Sequence, residues 1–343
     1  MTQRASLLRR CYQSFANIPI RVLLTVPFML QLLGAVGIVG YLSDRSGQQS
    51  VRELADKLTQ QVLLRINDRL TTYLHAPQDV VAANHLAVEQ GTLKINDFEQ
   101  LREQFWQQIT LNPSLQSIFF ANEPGEAIGY GRLQSKELVK QAKRLTRKDA
   151  SIGTRYFHRS RSSDPGKRKY YLVDAKGNPF KLVYTFPVDN QKTPWYRYAK
   201  ATNQQTWSPI SVYKVVPTLG IFALAPIYDA AGKWRGVFVS DFTLAGISTF
   251  LEQLKFSASG QTFIMERSGN LVATSTPEIP FVKKGLGETT RLLAVNSKDA
   301  RTRDIAQQLA HKFGNFRTLQ TTQPLTLLSN HEEQFVVLAY LTC

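Results

Sequence analysis

Apolar residues along the chain change their spacing three times, and each spacing predicts a different kind of element. From Val22 to Leu42 they run as VLLTVPFMLQLLGAVGIVGYL, twenty-one residues without a charge, with Thr25 and Gln31 the only clearly polar members. At about 1.5 Å per residue such a helix spans a ~30 Å hydrocarbon core. Pro27 predicts a kink near its start and does not forbid insertion. The spacing then becomes three and four: Val51, Leu54, Leu58, Val62, Ile66, Leu70, Tyr73 and Leu74 form the stripe of one long amphipathic helix. Pro77 predicts a break or kink, followed by a second helical stretch over residues 80–90 in roughly the same direction. NDFEQLREQFWQQI, Asn96 to Ile109, predicts a further helix capped by Asn96 or Asp97, with Phe98, Leu101, Phe105 and Ile109 on one face and Asn112-Pro113 as its stop.

Beyond Pro113 the pattern shortens to strands separated by turn residues. LQSIFFAN, EPGE and AIGYGRL read as a hairpin, because Pro and Gly supply the turn dihedrals between apolar runs. KYYLVD, AKGN and PFKLVYTF repeat it, as do LGIFALAPIYD, AAGK and WRGVFVSDFTL. Three hairpins after a helix predict an antiparallel sheet flanked by helices, an α+β domain. LAGISTFLEQLK then returns to helical spacing as a connector. GQTFIMERSGNLVATS predicts a fourth hairpin turning at residues 266–270, and KDARTRDIAQQLAHKF another helix, so a second, smaller α+β unit is expected. EEQFVVLAYLTC closes the sequence as one apolar strand, too short for a second crossing, with nothing left to pair with its far side and an exposed edge expected.

Charge fixes an orientation. Arg4, Arg9, Arg10 and Arg21 precede the first apolar run while Asp44 and Arg45 follow it, which places residues 1–21 in the cytoplasm and the bulk outside. The rival reading is a cleaved signal peptide; the run exceeds the usual apolar core of one and no clear A-x-A site follows. The formal net charge of +16 is mostly local. Between Arg132 and Lys169 thirteen Lys or Arg face only Glu137, Asp149 and Asp164. This basic patch, with Arg144, Arg147, Lys148, Arg155, Arg159, Arg161, Lys167 and Arg168, reads either as a solvated face or as a binding surface for anionic lipid or polymer. An extracytoplasmic position removes nucleic acid as a partner. With 43% apolar residues in 343, two domains or one with attachments are expected.

Catalytic chemistry finds little support. Cys11 and Cys343 form no metal or disulfide framework, and His75, His85, His158, His311 and His331 have no ligand spacing. His158, between Arg155 and Arg159, reads as part of a solvated basic surface. No P-loop, GxSxG elbow or dinucleotide fingerprint appears, so no enzyme activity, metal or cofactor is expected.

The order of parts resembles the double Cache family, tandem PAS-like extracytoplasmic sensor regions of bacterial chemoreceptors, histidine kinases and nucleotide cyclases. TPWYRYAKA is similar to that family's R-P-W-Y-x-x-A, TWSPISVY to its W-S-x-x-Y, and LAPIYDAAGKWRGVFVSDFTL to its P-v-y-d-x-x-G-x-x-x-G-V-v-x-x-D-i-x-L; GQTFIMERSGNLVATS looks like the opening of the second module. The likeness covers residues 51–343. It implies a long helix and two PAS-like modules, the second incomplete, behind one transmembrane helix. The expected division is a cytoplasmic 1–21, a membrane helix 22–42, a juxtamembrane helix 43–90, a membrane-distal ligand-binding module 91–245 and a membrane-proximal module 246–343. Also implied are a single-pass protein of the bacterial inner membrane, a homodimer through the juxtamembrane helix, and a longer receptor of cyclase or histidine-kinase type of which this chain is the front part.

The resemblance implies a small-molecule pocket with Trp195 and Tyr196 over the ligand, Tyr213 on its wall and Asp241 meeting a ligand amine. Two family positions differ: the Arg that clamps an amino-acid carboxylate is Thr193 here, and a preceding Tyr is Val188. Lys192, one place away, supplies charge without the guanidinium fork. Each residue also has a structural reading. Trp195 shares a helical stripe with Tyr198, Ala199 and Thr202 and can anchor that helix on the sheet; Trp207 reads as core. Asp241 lies in an apolar strand, where it either faces a polar site or caps the helix at Leu244. The competing function is a membrane-tethered adhesion or scaffold protein that binds anionic polymer or lipid through the basic patch.

Overall fold

A computed structural model describes residues 19–133, 139–140, 143–144, 151, 153–213, 218–254, 260–283, 289–314, 316, 322–329 and 332–339. Arg4, Arg9 and Arg10, both cysteines, and Arg147 and Lys148 of the basic patch lie outside the described residues. The chain divides into two units, Met1–Gln61 and Val62–Cys343.

A helix, α1 (Ile20–Glu89), enters both units without interruption. In the first unit its apolar run is solvent-facing, with Leu24, Phe28, Leu33, Ile38 and Tyr41 all exposed. By length and composition it can cross a membrane. The Thr25 hydroxyl donates to the Arg21 carbonyl at 2.6 Å, so this polar group is satisfied inside the helix.

In the second unit α1 does not break at Pro77. The expected interruption is overridden by packing on both sides of the proline: Tyr73 and Leu74 join one buried cluster, Val80 and Val81 another. Helix α2 (Phe98–Leu111) follows, and Asp97, not Asn96, caps it, accepting from the amides of Glu99 and Gln100 at 3.1 and 3.0 Å. The strands β1 (Ser117–Asn122), β2 (Ala127–Arg132), β3 (Arg155–Arg161), β4 (Asp164–Val173), β5 (Pro179–Pro187), β6 (Thr206–Trp207), β7 (Ser211–Val212), β8 (Leu219–Tyr228) and β9 (Trp234–Thr243) form one sheet in the order β5-β4-β3-β2-β1-β9-β8-β6, with β7 also on β8. The three predicted hairpins correspond to β1/β2, β4/β5 and β8/β9, all antiparallel. Strand β3 has no counterpart in the predicted pattern.

Alternation gives the sheet two different faces. One face carries Ile118, Phe120, Ile128, Tyr130, Phe157 and Phe238 and packs on Val80 and Val81 of α1 and Leu101, Phe105 and Ile109 of α2. The other carries Phe119, Ala121, Leu224, Val237 and Val239 and is covered by helix α3 (Pro194–Thr202) through Trp195, Tyr196 and Ala199. A third cluster joins Ile66 and Leu70 of α1 to Leu219 and Phe242 and to Ile247 and Leu251 of helix α4 (Ala245–Gln253).

After α4 the predicted fourth hairpin appears as β10 (Phe263–Met265) and β11 (Leu271–Thr274), with Gly269 at φ 81° in its turn. Two further ribbons follow, β12 (Phe281–Lys283) with β13 (Thr289–Arg291) and β14 (Gln323–Ser329) with β15 (Glu332–Leu338), and helix α5 (Ala300–Phe313) packs on the second of them through Ile305 and Leu309. Among the described residues the apolar closing strand pairs with β14, a partner the pattern did not predict. Among the described residues this part is three two-stranded ribbons and no continuous sheet.

Candidate ligand-binding site

The α3-covered face of the sheet carries a row of polar and aromatic side chains that the register brings together. Asp241 on β9 lies opposite Ser117 on β1 and Phe222 on β8; His158 on β3 lies opposite Tyr170 on β4, and Ser160 opposite Arg168. Paired residues in an antiparallel sheet share a face. Asp241, Ser117, Tyr156, His158, Tyr170 and Arg168 thus point the same way as Phe119, whose ring is 5.3 Å from those of His158 and Trp195.

Asp241 is 7% exposed. Its Oδ2 accepts the Tyr213 hydroxyl at 2.7 Å and its Oδ1 accepts from Ser117 Oγ. Burial pushes its carboxyl up to about 6, against the pull of the Tyr213 hydroxyl, its own backbone N–H and the Arg168 charge. It does not cap α4: Leu244 occupies the cap position without a side-chain bond. Tyr213 reaches the carboxylate by lying flat over Gly220, where a Cβ would stand 2.2 Å from its ring carbons, and its ring is 5.2 Å from Phe222. A second glycine, Gly131, makes the same room for Tyr156. Burial raises the hydroxyl pKa values of Tyr213 and Tyr156 well above the ordinary range, so both stay protonated donors at neutral pH.

The residues expected around a ligand divide. Trp195 is buried against Phe119 and 5.9 Å from Phe222, so one ring both anchors α3 and borders the site. Tyr196, expected over the ligand, is instead a peg of the fold. Its hydroxyl donates to the Asn122 carbonyl at 2.9 Å and accepts from Trp234 Nε1 at 3.0 Å, and its ring is buried among Ala121, Trp234 and Val237. Thr193 spends its hydroxyl on the Asn190 carbonyl at 2.6 Å, and Lys192 is exposed and paired with Asp189 at 3.1 Å, so neither replaces the missing arginine.

Among the described residues the basic patch does not form one surface. Arg144 and Arg161 are exposed, and Lys167 and Lys169 share Asp164 at 2.9 and 2.8 Å. Arg155 stacks 4.2 Å from the Trp106 ring, and Arg159 is buried with its guanidinium 3.7 Å over Phe98. His158, expected on a solvated surface, is 2% exposed, and burial followed by the Arg168 charge holds it well below its ordinary pKa, hence neutral at pH 7. Strand alternation, which the basic composition hides, turns these residues to opposite faces. Ser117, Tyr156, His158 and Tyr170 were not singled out as site residues in the sequence; the signal that could have found them is the alternation Lys167, Arg168, Lys169, Tyr170. No group of three or more His, Cys, Asp or Glu side chains among the described residues is placed to hold a metal.

No protein-family model matches the chain, and no curated protein sequence matches it. Among solved structures it is similar to the ligand-binding domain of the Campylobacter jejuni chemoreceptor Tlp3 in complex with 4-methylisoleucine, at 13% identity and a TM-score of 0.47, covering 82% of this chain and 84% of that one. It is also similar to the extracellular domain of the putative histidine kinase mmHK1S-Z3, at 13% identity and 0.45, covering 82% and 88%. A third similarity is to the ligand-binding domain of the Pseudomonas aeruginosa PAO1 amino-acid chemoreceptor PctC in complex with GABA, at 15% and 0.43, covering 82% and 89%.

Proposed function

We propose that the chain is a membrane-anchored extracytoplasmic sensor of a small molecule, the input part of a signal-transduction receptor, and that its ligand presents an ammonium group to Asp241. One observation carries this reading: a buried carboxylate, held by Tyr213 and Ser117, among the rings of Trp195, Phe222 and Tyr213. A purely structural carboxylate in an apolar strand costs stability. Here its two hydrogen bonds come from donors that leave it an unpaired negative charge, which suits an amine enclosed by aromatic faces.

Signal transfer has a short physical path. Residues 241 and 242 point to opposite faces of β9, and Phe242 stacks on Tyr73 of α1 with ring centroids 6.2 Å apart. A ligand that pulls on Asp241 therefore biases the packing of Phe242, Leu70 and Ile66 on the helix. It does so only to the extent that it binds two arrangements unequally. The adhesion reading has less to rest on, because Arg155 and Arg159 stack on rings, Lys167 and Lys169 share Asp164 and Arg168 faces this site, which leaves Arg144 and Arg161 exposed among the described residues of the patch.

Thermal unfolding of the detergent-solubilised full chain, with and without small primary amines such as putrescine and 1-aminobutane, tests the proposal. A midpoint rise that saturates with amine and disappears in Asp241→Ala is expected. Equal shifts in the two proteins would remove Asp241 from the site, and no shift with any amine or amino acid would remove the sensor reading.

A further inference from the structure

The segment from Ser208 to Tyr213 touches the Asp241 site at one end and the ribbons after α4 along its middle. Both ends are fastened to β8. The Ser208 amide donates to the Phe222 carbonyl at 2.8 Å and its hydroxyl oxygen accepts from the Phe222 amide at 3.1 Å, while the Tyr213 amide donates to the Thr218 carbonyl at 2.8 Å. Between them β7 adds the pairs Ser211 with Gly220 and Val212 with Leu219. The Tyr213 hydroxyl ends the segment on Asp241. Ile210 and Val212 alternate with Ser211 and Tyr213, and they pack in the cluster that holds Val272 of β11 and Phe281 of β12. Arg291, the last residue of β13, meets the segment there. One of its terminal nitrogens donates to Glu266 Oε2 at 2.9 Å and to the Ile210 carbonyl at 3.4 Å; the other donates to the Leu271 carbonyl at 3.2 Å. Its Nε is buried without a partner. The guanidinium is thus anchored on the ribbons by a carboxylate and a carbonyl, and reaches the segment by a bond at the outer limit of N–H···O geometry. A sub-ångström shift of the segment makes or breaks that bond and leaves the anchor intact.

Resting on the sensor reading above, we infer that Arg291 is a latch between the Asp241 site and the β10–β13 ribbons. It is a positioning residue: it fixes where Ile210, and with it Tyr213, lies against the carboxylate, and it passes a change at Tyr213 on to the turn at Glu266. This route adds to the one through Phe242 to α1. Coupling of this kind is reciprocal, so a change in how the ribbons hold Arg291 also changes how the site binds. The competing reading is a staple within the ribbons, Arg291 on Glu266 and Leu271 alone. A staple needs no bond to Ile210, and it gives no response to a change at Tyr213.

The experiment follows hydrogen exchange of the detergent-solubilised full chain by mass spectrometry, in wild type, Tyr213→Phe, Arg291→Gln and the double variant, without any ligand. The reporters are the amides of Leu271, which donates to the Leu292 carbonyl at 2.7 Å, and of Ala294, which donates to the Gly269 carbonyl at 2.9 Å. Tyr213→Phe frees the segment from Asp241 and is expected to speed their exchange at least about 5-fold, the lower end of ordinary coupling between sites, and less than about 2-fold once Arg291→Gln is present. Equal factors in both backgrounds, as a staple would give, or no effect of Tyr213→Phe while Arg291 is in place, would overturn the latch. Circular dichroism shows which variants fold. If Arg291→Gln does not, Arg291→Lys, which keeps a charge for Glu266 and gives up the fork, takes its place in the cycle. Putrescine supplies the second arm: the same amides are expected to respond to it in wild type and to lose that response in the Arg291 variant. Putrescine that binds, shown by a saturating rise in unfolding midpoint, but leaves these amides unchanged would overturn the latch and leave the sensor reading standing. Failure of every amine and amino acid to bind would remove the sensor reading, while the ligand-free cycle still decides the latch.

Discussion

Asp241 holds an ionisable group where water reaches it poorly, and the sign of its effect on stability is opposite to that of a paired surface carboxylate. Its pKa is about 6 in the folded chain against 3.8 for the unperturbed group. Between these values the folded state binds more protons than the unfolded one, so this residue's contribution to stability falls as pH rises through the window and is fully lost above pH 6. Asp241→Asn keeps an acceptor for Tyr213 and removes the charge. At pH 7 the variant is expected to be more stable than wild type by on the order of 2 kcal/mol. The difference should close toward pH 4, as read by urea denaturation at both pH values. A variant that is less stable at pH 7 and pH 4 alike would mean that Asp241 is fully compensated in the fold, which would weaken its assignment as a ligand partner. The same titration gives the ligand prediction its pH sense: an ammonium ligand binds the ionised carboxylate, so its affinity is expected to fall on acidification below about pH 6.

At the scale of elements, Gly220 shows how a strand makes room for site chemistry. A methyl group there would stand 2.2 Å from the Tyr213 ring, and the ring cannot slide away without leaving Asp241. Gly220→Ala is expected to destabilise the chain by about 1–3 kcal/mol through overpacking. It should also weaken amine binding, seen as a smaller ligand-induced rise in unfolding midpoint. An unchanged response would show that Tyr213 is not needed at the carboxylate. The same elements explain how much could be read beforehand. The hairpins β1/β2, β4/β5, β8/β9 and β10/β11 were legible because Gly and Pro mark their turns between apolar runs, and α2 because its apolar positions recur at three and four. Strand β3 was hidden because RYFHRSR reads as a charged loop until its partners β2 and β4 are known. Asp241 and Tyr213 could be named from motif resemblance. Arg168 could only be counted as one charge among many, since its facing depends on where β4 starts, and β4 starts at Asp164, five residues before the apolar run suggests. Tyr196 misled because a tyrosine beside a tryptophan carries no mark of where its hydroxyl goes, and here two backbone carbonyls take it.

At the scale of the whole molecule, the sensor reading requires that residues 22–42 sit in lipid. In the first unit this stretch of α1 leaves Leu24, Phe28, Leu30, Leu33, Val36 and Val39 each more than 45% exposed, an apolar surface that a water-soluble protein would not leave uncovered. On the sensor reading a bilayer would cover it, and the helix satisfies its own backbone. Leu32 lies at the middle of the run, where an arginine costs about 2.5–3.5 kcal/mol on insertion scales. Leu32→Arg combined with Leu33→Arg is therefore expected to shift the chain from the membrane fraction to the soluble one after carbonate extraction, while wild type stays with the membrane. Orientation is checked on the same wild-type preparation. Protease added to cells whose outer envelope has been opened should degrade everything after residue 43 if the arginines before the run hold the N-terminus inside, as the positive-inside bias predicts. A chain that resists external protease but is cut after lysis would place the Asp241 site in the cytoplasm, and a ligand arriving from outside could then not be what it senses.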